Sequence, residues 1–158
     1  MNYFELFDLP VGFMVDGDKL TKKYFELQKK YHPDFFTQGN ETEQSEALEF
    51  SSQANKGLKV LKDRDETIKY VLQLRGLLEE EEKFQLPPDF LMEMMELNEE
   101  LNESSPRQIA TIEAALYAHV LPILQHYDEA TPIADLMQVK EYYYKKKYLQ
   151  RILDRIGD

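Results

Sequence analysis

Hydrophobic positions recur along this chain at helical spacing, and no stretch shows the sustained alternation of a strand. Leu20, Tyr24, Leu27 and Tyr31 fall at intervals of four, three and four, which is one face of an amphipathic helix. Pro33 has no backbone N–H and pushes His32 out of the α region, so that helix is predicted to end at Tyr31 or His32. A short apolar run, Tyr3 to Leu9, precedes it, with Asn2 as cap and Pro10 as stop. Asp16-Gly17-Asp18 supplies the turn and an N-cap option. Phe35 to Asn40 reads as a loop, after which Ala47, Phe50, Ala54, Leu58 and Leu61 mark a third helix over 41–61. Asp63-Arg64-Asp65 interrupts it. Ile68, Val71, Leu72 and Leu74 then make a short fourth helix, with Gly76 placed as its C′ residue.

Between Leu77 and Pro88 the composition shifts. Glu79 to Glu82 is a run of four carboxylates, read as a solvated linker, and Pro87-Pro88 is a stiff extended break. Three longer periodic segments follow. The first runs from Asp89 to Asn102, with Phe90, Met94, Leu97 and Leu101 within about 60° of one another at ~100° per residue. Ser104-Ser105-Pro106 closes it and caps the second, Arg107 to Tyr127, in which Pro122 should kink or break the helix. The third, Ile133 to Ile156, carries Leu136, Val139, Tyr143, Lys146, Leu149, Leu153 and Ile156, with Lys146 expected to snorkel at the bundle edge. The spacing therefore predicts an all-α protein: a helical domain over 1–76, a linker over 77–88, and an antiparallel three-helix bundle over 89–158.

Charge changes this picture in one place. The net charge of −11 disfavours nucleic acid as a general partner. Yet Lys19, Lys22, Lys23, Lys29 and Lys30, opposed by Glu26, give residues 19–30 a local charge of +4, which suits an acidic docking partner. The chain has no cysteine, so disulfides and thiolate ligation of a metal or cluster are excluded. No stretch approaches the ~20 apolar residues of a membrane span. The chain enters structure directly after Met1 without a leader pattern, and the bacterial cytoplasm is the expected compartment.

Two places look able to bind. In the run Lys29 to Phe36, His32 and Asp34 sit on a turn beside a positive helix face, fixed by Pro33. Local physics leaves two readings, a partner-touching loop or a plain helix stop. On the helix from Asp89, Leu91, Met92 and Met95 point a third to a half turn away from the core stripe, with Glu96, Glu99 and Glu103 beside them. That is either an adaptable apolar patch with a carboxylate rim, or a wide face packed on both neighbouring helices. His119 and His126 lie seven residues apart with no ligand partner at metal spacing, so both read as structural or surface residues. No phosphate loop, nucleophile elbow or Cys–His pair is present, and Pro33 is read as turning the His32 and Asp34 side chains apart. No catalytic residue, metal or cofactor is expected.

The order of the first three helices, with Tyr-His-Pro-Asp at 31–34 closing the second, closely resembles a J-domain. The resemblance continues through ANKGLKVLKDRDETIKYVLQLRG to LMEMMELNEEL from Leu91, and the whole chain is similar to the HscB-type J-protein family, co-chaperones of iron–sulfur cluster assembly. It implies an N-terminal J-domain followed by a C-terminal three-helix bundle. It also implies docking on a DnaK/HscA-type ATPase chaperone through His32, Pro33 and Asp34, with Lys22, Lys23, Lys29 and Lys30. The iron–sulfur scaffold protein would bind Leu91, Met92, Met95, Glu96, Glu99 and Glu103, and the family's aromatic contact in the last helix falls nearest Tyr144. A monomer is expected. A J-domain protein with another client, or a helical adaptor with no chaperone link, are the alternatives. Two departures stand out. The family's proline and Arg-Ala pair is replaced between Asp63 and Ile68, where Thr67-Ile68 should alter how the fourth helix packs on the third. Gly57 replaces the usual alanine and should weaken its helix by up to ~1 kcal/mol.

Overall fold

The computed structural model describes residues 1–157, and the chain divides into two compact units, 1–71 and 72–158. Every regular element among the described residues is helical. In the first unit, helix α1 (Tyr3–Leu6) starts where the Asn2 side chain accepts the Glu5 N–H. It stops well before Pro10, three residues earlier than expected. Asp8 takes φ +53°, a conformation short polar side chains tolerate, and the Leu9 N–H turns back to the Phe4 carbonyl. Helix α2 (Gly17–Tyr31) begins at Asp16, whose carboxylate accepts the Asp18 and Lys19 N–H groups. It ends at His32, which is extended (ψ 133°) as the following proline requires. Residues 33–36, half of them expected as loop, wind into a 3₁₀ turn.

Helix α3 (Glu41–Leu61) is capped by the Asn40 side chain and buries Ala47, Ala54 and Leu61. Phe50 stays partly exposed, stacked on Tyr31 with ring centroids 4.5 Å apart. Gly57 is buried on the same side, and it is more than a weak link. A Cβ there would lie 2.8 Å from the Phe7 ring and 2.9 Å from the Tyr3 ring. The missing side chain lets α1 press against α3, as a glycine at a close approach does. Thr67, 1% exposed, ties the corner between α3 and helix α4 (Arg64–Leu74). Its hydroxyl donates to the Asp63 carbonyl at 2.8 Å, shared with that of Val60 at 3.0 Å. Asp63 also caps α4 by accepting the Glu66 N–H. Phe4, Phe7, Leu20 and Ile68 are at most 1% exposed, and each such side chain contributes about 1.5–3 kcal/mol through burial. As expected, Gly76 ends α4 at φ +71°, with the Leu77 N–H on the Leu72 carbonyl.

The second unit holds helices α5 (Pro88–Glu99), α6 (Ser105–Gln125) and α7 (Ile133–Ile156) as the antiparallel bundle. Phe90 and Met94 from α5 meet Ile109 from α6 and Leu149 and Ile152 from α7 in one core. Leu97 and Leu101 pack against it, so the stripe read from periodicity faces inward. On α7, Ile152 is buried whereas Leu153 and Ile156 lie at the core's edge. Helix α5 stops at Glu99, three residues early. Of the expected Ser104-Ser105-Pro106 cap, Ser104 takes the N-cap position but makes no side-chain bond; Asn102 accepts its N–H, and the buried Ser105 hydroxyl accepts that of Asn102. The helix runs through Pro122 for one more turn without a break; the proline has no N–H to give the Ala118 carbonyl, and the helix continues past that one missing bond. Lys146 does not merely snorkel: its ammonium meets Glu113 of α6 at 3.3 Å.

The stretch over 77–88 departs most from its reading as a wet linker. It falls within the second unit, and Glu82 and Phe84 lie against α7. Glu82 meets the Lys140 ammonium at 3.1 Å and accepts the Tyr144 hydroxyl at 2.7 Å, while Phe84 stacks on the Tyr144 ring at 4.7 Å. A charge run looks uniform in sequence, but here Glu82 finds a cation 58 residues away. Lys140 is only 8% exposed, so Glu82→Ala should cost about 2 kcal/mol by leaving its charge without that carboxylate. Thermal melts of the two chains check it.

Candidate functional site

The end of α2 presents His32 and Asp34 together. The Asp34 N–H donates to His32 Nδ1 at 3.2 Å, and the Phe35 N–H donates to the His32 carbonyl at 3.0 Å. Nδ1 therefore holds a lone pair, which assigns the ring proton to Nε2. The Asp34 carboxylate comes within 3.6 Å of the same nitrogen. Pro33 thus does not turn the two side chains apart, as the sequence suggested; the 3₁₀ turn folds them back toward each other. A salt bridge between them would need a proton on Nδ1, which would remove the acceptor from the Asp34 N–H. The arrangement is a self-capped turn, with the two groups on an exposed edge.

The four lysines assigned to this face divide. Lys23 is engaged within the unit, 3.6 Å from Asp8 and 4.0 Å from Glu26. The Lys30 ammonium lies 5.2 Å from the Tyr31 ring centroid, over its face. Lys22 and Lys29 line one groove with His32. Periodicity did not single out two other residues of that groove, Phe25 and Phe35, both largely exposed. The available signal was the position of Phe25 opposite the core stripe of α2.

The second face is on α5. Met92 and Met95 are 62% and 59% exposed, Leu91 is half-buried, and Glu96 and Glu99 are exposed. The alternative, in which the wide face packs on both neighbours, does not describe these two methionines. Glu103 does not extend the row of Glu96 and Glu99 on the helix: α5 has ended, and Glu103 sits in the turn before α6. Tyr144 is held by the 77–88 strap through Glu82 and Phe84.

Burial, then the bond to Glu82, pushes the Tyr144 hydroxyl well above its ordinary value, so it stays a donor. Burial would also raise the Glu82 carboxyl, but the bonds from Tyr144 and Lys140 outweigh it and hold it below the usual 4.5. A carboxyl depressed on folding stabilises above its unfolded pKa and stops doing so as pH falls through its folded one. Melting of the second unit should accordingly drop on acidification below about pH 4.5, and Glu82→Gln should flatten that part of the profile. His119 and His126 are exposed, and no group of three or more metal-capable side chains occurs among the described residues. Nor is any described helix long and apolar enough to cross a membrane.

Comparison with known proteins bears on both units. A family model described as the HSCB C-terminal oligomerisation domain matches residues 86–157. A co-chaperone protein HscB homolog from Vibrio cholerae serotype O1 (strain M66-2) is 40% identical over 131 residues, covering 80% of this chain and 75% of its own. Its counterpart from Vibrio vulnificus (strain YJ016) is 42% identical over 104 residues, 65% of this chain and 61% of that one. Among solved structures, the chaperone HscB from Vibrio cholerae aligns over 99% of both chains at 30% identity with a TM-score of 0.66. The human co-chaperone protein HscB aligns over 99% of this chain and 81% of its own at 29% identity, TM-score 0.78.

Proposed function

Because the chain belongs to the HscB family of co-chaperones, we propose that its J-domain docks on a DnaK/HscA-type ATPase chaperone and stimulates ATP hydrolysis there, while its bundle brings an iron–sulfur scaffold protein to that chaperone. The observation that carries this reading is the pairing of two unlike exposed faces. One is a lysine-flanked His32-Pro33-Asp34 turn; the other is a methionine patch rimmed by Glu96 and Glu99. On the first face, Lys22 and Lys29 steer an acidic partner, a salt-sensitive effect on the rate of encounter. Asp34 pairs with a cation of the chaperone, and His32 offers its Nε2 proton beside it. On the second, Met92 and Met95 adapt to an apolar surface, while Glu96, Glu99 and the turn residue Glu103 select basic neighbours. Holding both partners on one chain raises the effective concentration of each for the other.

This assigns the chain no enzymatic step and no cofactor of its own, and the bacterial cytoplasm as its compartment. A monomer is the state it takes; sedimentation of the free chain checks that against the oligomerisation named for the matching domain. The test is steady-state ATP hydrolysis by the chaperone, with this chain added alone and with scaffold. Synergy is expected, and Met92→Ser/Met95→Ser should lose it, raising the half-saturating scaffold concentration about tenfold while stimulation without scaffold persists. Stimulation indifferent to scaffold would give the J-domain another client. None at all would leave a helical adaptor.

A further inference from the structure

The face of α2 opposite its core stripe carries Lys22, Phe25, Lys29 and His32 at intervals of three, four and three. At about 100° per residue these positions centre roughly 150° from the centre of Leu20, Tyr24, Leu27 and Tyr31, and Phe25 lies away from the core stripe. It is 63% exposed, and Phe35 on the 3₁₀ turn is 64% exposed. A single exposed phenylalanine needs no explanation. Here both rings line one shallow, mainly apolar groove with Lys22, Glu26, Lys29 and His32. The Phe35 ring stands edge-on to the His32 imidazole, centroids 6.1 Å apart, so the groove is continuous with the His-Pro-Asp turn.

Resting on the chaperone reading above, we propose that this groove is an apolar subsite of the docking face, filled by an apolar side chain that the chaperone presents among carboxylates. Two observations select that occupant. The groove adjoins the His32-Pro33-Asp34 turn, and two lysines stand beside it in a chain that is otherwise strongly acidic. The division of labour is physical. The lysines act at range and are screened by salt, whereas apolar burial in the groove is insensitive to screening and acts on the lifetime of the complex.

The test measures the concentration of full-length chain that half-stimulates the chaperone ATPase, at about 50 mM and about 300 mM salt. Phe25→Ser/Phe35→Ser should raise it about tenfold at both, with the maximal stimulation retained. Lys22→Ala/Lys29→Ala should raise it severalfold at low salt and little at high salt. Phe25→Leu/Phe35→Leu should recover most of the loss, which serves as the folding control alongside matched thermal melts. A change under twofold for the serine pair, while His32→Gln still abolishes stimulation, would remove the subsite and leave the chaperone reading standing. Indifference to His32→Gln would remove both. A dimer of the free chain that the serine pair dissolves would give the groove to a second copy, and overturn the proposal.

Discussion

Replacing His32 with glutamine is expected to reduce stimulation of the chaperone ATPase at least tenfold without lowering the melting temperature. The imidazole is nearly half exposed, so its packing contributes little to stability. Its structural duty is the acceptor for the Asp34 N–H, and a glutamine carbonyl can serve there, so the 3₁₀ turn survives. What disappears is the rigid ring that stands edge-on to Phe35, with its Nε2 N–H. Paired measurements of ATPase rate and thermal unfolding separate the two roles. A melting temperature lowered along with the activity would mean the ring supports the turn, and unaltered stimulation would remove this turn from the mechanism.

The second large effect runs against helix propensity. Alanine is the better helix former by about 1 kcal/mol, so Gly57→Ala in α3 ought to stabilise. The opposite is expected, a net loss of about 2 kcal/mol, because the new methyl would sit 2.8 Å from the Phe7 ring and 2.9 Å from the Tyr3 ring. Neither ring is a loose end. Phe7 is 1% exposed, and Tyr3 is stacked 4.8 Å from Tyr70, whose hydroxyl accepts the Tyr3 N–H. Shifting them moves α1 as a whole. Chemical denaturation of the two chains decides the sign, and a more stable variant would show that α1 recedes at no cost.

The contrast at Gly57 shows what could be read from the chain and what could not. Periodicity located all the main helices and the inward stripe of α5, because a face buried along its length must repeat with the helix. The His-Pro-Asp stop was equally legible, since proline acts on its immediate neighbour. Distances between elements were not. Nothing local marks Gly57 as a point of close approach or Glu82 as the counter-charge of Lys140, and Thr67 stood out as a departure from the family without its two carbonyl partners being legible. Helix ends slipped where the turn was made by residues that periodicity does not mark: Asn102 accepts the Ser104 N–H beyond the end of α5, and Asp8 turned the chain before Pro10 could. At the candidate faces, Lys22 and Lys29 were legible as charges. Their separation from Lys23 depended on Asp8, which only the fold brings near. Phe25 was visible as an apolar residue on the side of α2 away from its core stripe.

The strap over α7 bears on the last helix as a recognition surface. Tyr144 is occupied from one side by the Phe84 ring and at its hydroxyl by Glu82. A partner seeking that aromatic side chain meets a competitor already bound, tethered to the same molecule and never diluted away. If lifting the strap costs about 2 kcal/mol, only some three molecules in a hundred present a free Tyr144 at any instant, and the apparent affinity for it falls by the same factor of about thirty. Glu82→Gln/Phe84→Ala would raise that fraction, turning a site entered by displacement into one that stands open.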